Sequence, residues 1–152
     1  MHRGSVISEC KIPFHFISFL CHEQETLDKD SVASICKDYV NHCPVFSFFS
    51  SDFKSKYIEG ATQHYMQYVD MDKDEIIKSL LETWETWDNY SLSILNLRVL
   101  TYLFSNEFIQ NPTISYLIEL YTQNIHFDGK QRYSLKDTKI KYKKMFVPCI
   151  CI

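Results

Sequence analysis

Glycine is almost missing from this chain. Gly4, Gly60 and Gly129 are the only three in 152 residues, too far apart to curl backbone amides around a phosphate as a glycine-rich loop does. Proline is nearly as scarce, with four, so turn chemistry is thin and helices are favoured over hairpins. Positive charge is not in excess either: 16 Lys and Arg stand against 19 Asp and Glu, a net charge of -3, which argues against nucleic acid as a partner. The longest apolar run, residues 92–104, is too short to cross a bilayer, so no membrane partner is expected from it. Residues 1–9 are too polar to open a secretory signal. The six cysteines (Cys10, Cys21, Cys36, Cys43, Cys149 and Cys151) are therefore expected to be reduced thiols of an intracellular, cytoplasmic protein rather than a disulfide framework.

What the chain does have is aromatic weight, with Tyr 10 and Phe 11, and a length sufficient for one domain with a real core that needs no cofactor for stability. Helical spacing recurs throughout. Pro13 suits the first turn of a helix carrying Phe16, Phe19 and Leu20 on one face. Asp28 or Asp30 can cap a second, whose Val32, Ile35, Cys36, Tyr39, Val40 and Cys43 repeat by threes and fours until Pro44. Ser50 or Ser51 opens a third along Phe53, Tyr57, Ala61, Tyr65 and Tyr68. Asp72 with Glu75 has the form of a capping box before Ile76, Ile77, Leu80, Leu81 and Trp84.

From Leu92 to Phe104 apolar residues occupy nearly every angle of a helical wheel, which predicts a helix buried on all sides. Asn111 before Pro112 starts the next, along Ile114, Leu117, Ile118 and Tyr121. Asp128-Gly129 marks a turn, and Ser134 with Asp137 caps a last helix over residues 136–146 with Ile140, Met145 and Phe146 as its contacts. The weakest strand candidate is residues 44–49. The expectation is all-α: one helical domain over 1–152, six to seven helices around a central buried helix, with an apolar tail at 147–152.

Two stretches bear a likeness to one family. Asp88-Asn89-Tyr90-Ser91-Leu92-Ser93 resembles the Asp-x-Trp/Tyr-Ser-x-Gly start of the large central helix in the C-terminal lobe of protein kinases, with Ser93 in place of the glycine. Residues 124–135, from Asn124 through Asp128, Gly129 and Arg132 to Leu135, are similar to the Asp-Pro-x-x-Arg-x-Ser segment joining that lobe's last helices, with Gly129 where proline is common. The likeness covers roughly residues 84–146, and the Ile, Lys, Asn, Tyr and Phe-rich composition resembles the serine/threonine kinase-like proteins of large DNA viruses. It implies that Asp88 accepts backbone hydrogen bonds from a catalytic loop and that Arg132 pairs with a glutamate, while Tyr90, Ser91 and Asp128 are structural matches. An ordinary helix cap is the alternative for Asp88, and a surface arginine for Arg132.

Phosphoryl transfer also needs a strand lysine, a His-Arg-Asp loop with its downstream Asn and an Asp-Phe-Gly metal ligand, and none of these occurs here. The resemblance therefore implies a catalytically incomplete fragment of a kinase C-terminal lobe that binds another protein. The alternatives are the C-terminal part of a split serine/threonine kinase that joins a separately encoded N-terminal part, and a small helical viral protein that binds host regulators. No catalytic, cofactor or metal residue is assigned. Cys10, His15, Cys21 and His22, with Cys36, His42 and Cys43, match no zinc spacing. Glu107 with Glu119, or Asp70, Asp72 and Asp74, could pair as acid and base but read as caps and dipole partners. Cys149, fourth from the end, formally fits a prenylation box, with Lys136, Lys139, Lys141, Lys143 and Lys144 upstream of it.

Overall fold

Residues 11–104 and 111–146 are described by a computed structural model of the chain. Among them are seven α-helices and no strand: α1 (Ile12–His22), α2 (Lys29–His42), α3 (Ser51–Tyr65), α4 (Lys73–Leu81), α5 (Trp87–Leu103), α6 (Pro112–Asn124) and α7 (Leu135–Phe146). No described helix is long and apolar enough to cross a membrane. Packing divides the chain into two compact units, the first ending at Trp84 and the second beginning at Glu85.

In the first unit, α2 lies against α1 and α3, and α1 also meets α4. Three of its four starts are built by a short polar side chain, while α1 opens with Pro13 in its first turn and no side-chain cap. The Asp28 carboxylate accepts from the Ser31 N–H at 2.7 Å while the Ser31 hydroxyl accepts from the Asp28 N–H at 2.9 Å, a reciprocal box opening α2. Ser50 caps α3 through the Phe53 N–H, and Asp72 caps α4 through the Asp74 N–H instead of closing a box with Glu75. The core is aromatic: Phe16 stacks on Tyr65 at 4.2 Å, and Phe46 meets Tyr57 edge-on at 4.8 Å. Residues 44–49 form no strand. Pro44–Phe48 is a 3-10 turn that sends neighbours Val45 and Phe46 both inward, which the alternation of a strand forbids. Trp84 does not continue the buried stripe of α4, because the helix stops at Leu81; Leu81 is exposed and Trp84 is 63% exposed.

Burial has a chemical consequence in this unit. Desolvation pushes the Cys36 thiol up to about 11, against a smaller lowering by a hydrogen bond with Thr62. Cys21 is exposed, whereas Cys36 and Cys43 are buried. A short maleimide pulse on native protein, followed by peptide mapping, is expected to label Cys21 and leave Cys36 unmodified until denaturant is added. Equal labelling of both would mean that the α2 face is not packed as described.

In the second unit α5 packs along α6, and α6 meets α7. Asn111 accepts from the N–H groups of Thr113 and Ile114, with Pro112 in the first turn of α6. Ser134 accepts from the Asp137 N–H at 3.0 Å and donates to its carboxylate at 2.7 Å, starting α7. Ile140 is exposed rather than a core contact, and the Phe146 side chain lies outside the described residues, as does the 147–152 tail.

The expectation of a helix buried on all sides is corrected in α5. Its inward face is Asn89, Tyr90, Ser93, Ile94, Leu97 and Thr101, while Leu92, Leu95, Val99, Tyr102 and Leu103 are solvent-exposed, Tyr102 at 83% and Leu103 at 62%. The reason is size. A unit that supplies one closely packed partner helix along α5 can bury one side of it and no more.

Candidate functional site

Of the residues matched to the family, Tyr90 and Arg132 meet where α5 begins and the loop between α6 and α7 turns. Arg132, 7% exposed, follows the single turn Gly129–Gln131, which is itself capped by the Asp128 carboxylate accepting from the Lys130 N–H at 2.9 Å. Its guanidinium donates to three oxygens: through Nε to the His126 carbonyl at 2.6 Å, through Nη1 to the Thr86 hydroxyl at 3.2 Å and through Nη2 to the Phe127 carbonyl at 3.3 Å. The same group lies over the ring of the fully buried Tyr90, 4.6 Å from its centroid. A buried charge is tolerable only when it is surrounded in this way. No carboxylate among the described residues pairs with Arg132, so the glutamate partner implied by the resemblance is replaced here by carbonyls and a hydroxyl.

Asp88 is placed differently from either expectation. It sits in the first turn of α5, after Thr86 at the cap position, is exposed, and its carboxylate makes no hydrogen bond with a described residue. Its remaining role is to complement the positive end of the helix. Ser91 and Ser93 turn inward with hydroxyls that have no hydrogen-bond partner among the described residues, and Ser93 is 1% exposed. Cys149 lies outside the described residues.

A second polar knot went unnoticed in the sequence. The Asn89 side chain donates to the Tyr133 carbonyl at 3.0 Å and to the Thr138 hydroxyl at 2.8 Å, and Asn124, fully buried, donates to the same hydroxyl at 3.2 Å. One threonine thus ties the start of α5, the end of α6 and the start of α7. Asn124 could have been found: it continues the stripe Ile114, Leu117, Tyr121 at the next helical step.

Next to Arg132, burial holds the His126 imidazole below its ordinary pKa, and Nδ1 accepts the Asp128 N–H at 3.1 Å. The fold therefore selects the neutral ring, and this contribution to stability fades as the pH falls below the value of a free histidine.

In the first unit an open cleft of about 500 Å³ between α1 and α2 is lined by Glu23, Asp28, Asp30 and Asp38 with His15 and Phe19. Among the described residues no group of three His, Cys, Asp or Glu is placed to hold a metal ion. Of the proposed acid pairs, Asp72 caps α4, Asp74 lies in its first turn and Glu107 lies outside the described residues. Compared with family models, with curated proteins and with solved structures, the chain finds no match in any of the three.

Proposed function

We propose that this chain is a fragment of a protein-kinase-like C-terminal lobe, incapable of phosphoryl transfer by itself, that acts by binding another protein. One observation carries the reading: the two stretches bearing the family likeness, some forty residues apart in sequence, are joined by the Arg132 guanidinium lying over the Tyr90 ring and by the Asn89 side chain donating to the Tyr133 carbonyl. Chance motif matches have no reason to meet, least of all through a buried guanidinium.

The binding surface follows from the two apolar sides of α5, which turns Tyr90, Ile94 and Leu97 inward together with Asn89, Ser93 and Thr101 and still leaves five large apolar side chains outward. Leu92, Leu95, Val99 and Tyr102 are spaced by three, four and three residues, the seam of a helix that receives another helix. Arg98 flanks this seam and pairs with no described carboxylate, so the fitting partner is an amphipathic helix with an acidic residue beside its apolar stripe. The exposed seam also favours a second reading, in which a separately encoded N-terminal part covers it and completes a kinase. The DNA preceding the Met1 codon separates the two, since a glycine-rich loop and His-Arg-Asp in an upstream frame favour the split enzyme.

For the isolated chain, Mg-ATP is expected to leave the thermal midpoint unchanged. A nucleotide binder at a hundredfold excess over Kd gains about 2.7 kcal/mol, which a thermal scan reads easily. A clear upward shift overturns the incomplete-lobe reading.

A further inference from the structure

We propose that the outer face of α7 docks on anionic phospholipid. At 100° per residue, Lys139, Lys143, Lys136, Ile140 and Lys144 fall in that order within about 140° of arc, and all five are exposed. Thr138, Lys141 and Met145 turn the other way and are half-buried. Lys141 is occupied over the Tyr133 ring at 4.5 Å, but no described carboxylate lies within ion-pair reach of Lys136, Lys139, Lys143 or Lys144. Asp137, the one acid of the helix, is engaged with Ser134 in the first turn. Four uncompensated ammonium groups thus share one side of a chain whose net charge is -3.

Apolar side chains decide between anionic partners. Leu135 and Tyr142 are exposed on one margin of the lysine face, and Ile140 is exposed within it. A bilayer surface takes both kinds of group, headgroup phosphates meeting the lysines and the acyl boundary receiving the apolar tips. A nucleic-acid backbone offers nothing to Leu135 or Ile140. None of the described helices is long and apolar enough to cross a bilayer, yet a helix too short or too polar to cross can still lie on its surface.

The test uses the full chain, sedimented at low salt with vesicles of phosphatidylcholine alone or with added phosphatidylserine. Binding is expected only with phosphatidylserine, and is expected to weaken as salt rises. Each lysine replaced is expected to lower partition about fivefold, so Lys136→Gln with Lys143→Gln should lower it by about 25-fold. Lys56→Gln, removing the exposed lysine paired with Asp52 on α3, should leave it unchanged. Unaltered helical circular dichroism keeps the double variant interpretable, and the salt response of the wild-type chain tests the proposal without any variant. No binding, equal binding to neutral vesicles, no loss in the double variant, or preferential capture by duplex DNA added as competitor each overturns it.

Discussion

Leu97→Ala is expected to destabilise the second unit by about 2 to 5 kcal/mol, whereas Leu95→Ala, two residues away, is expected to cost less than about 1 kcal/mol. Leu97 is almost wholly buried on the inward face of α5, and truncation leaves a cavity that the surrounding helices cannot close. Leu95 is among the exposed side chains of the same helix, and its removal takes away little buried area. Urea denaturation of both variants measures the contrast. Similar losses in the two would mean that α5 is enclosed after all, and the binding surface assigned to it would disappear.

Arg132→Ala is expected to cost about 3 to 5 kcal/mol. The substitution removes three donated hydrogen bonds at once and strips the cationic cover from Tyr90, leaving the His126 and Phe127 carbonyls short of a donor in a poorly hydrated corner. Arg132→Lys is expected to recover only part of this, because an ammonium cannot reproduce the planar fork that reaches three oxygens on two segments. A near-silent Arg132→Ala in equilibrium unfolding would sink the idea that this guanidinium joins the two stretches.

The helices were legible because their starts are written in local chemistry. Asp28 with Ser31, Ser50, Asp72, Asn111 before Pro112, and Ser134 with Asp137 all form caps where the spacing places them. Local signals cannot say how much neighbouring structure exists to cover a helix. The run after Tyr90 is apolar at nearly every angle, so it carries no periodic hint of which side faces water. Its orientation is set by polar residues instead: Asn89 must reach Tyr133 and Thr138, and once that side turns in, Leu92, Leu95 and Val99 turn out.

At the candidate site, Arg132 and Tyr90 could be named from motif likeness, but their mutual contact could not, because it depends on the α6–α7 turn folding back over forty residues of chain. Asp88 shows the converse limit. As the first acid in the segment it looked like the cap, yet α5 starts before it and leaves it in solvent. Thr138 was invisible for another reason: a lone hydroxyl in a lysine-rich helix has no signature until two asparagines converge on it.

The chain's two tryptophans stand three positions apart, Trp84 closing the first unit and Trp87 opening α5 in the second, while the first unit's interior is furnished with tyrosine and phenylalanine. Indole emission is therefore a local witness of that junction, whereas tyrosine ellipticity in the near ultraviolet draws on both units, from Tyr39, Tyr57, Tyr65 and Tyr68 in the first and from the buried Tyr90 and five others in the second. Unfolding curves from the two signals should superimpose if both units melt together, and separate if one lets go first.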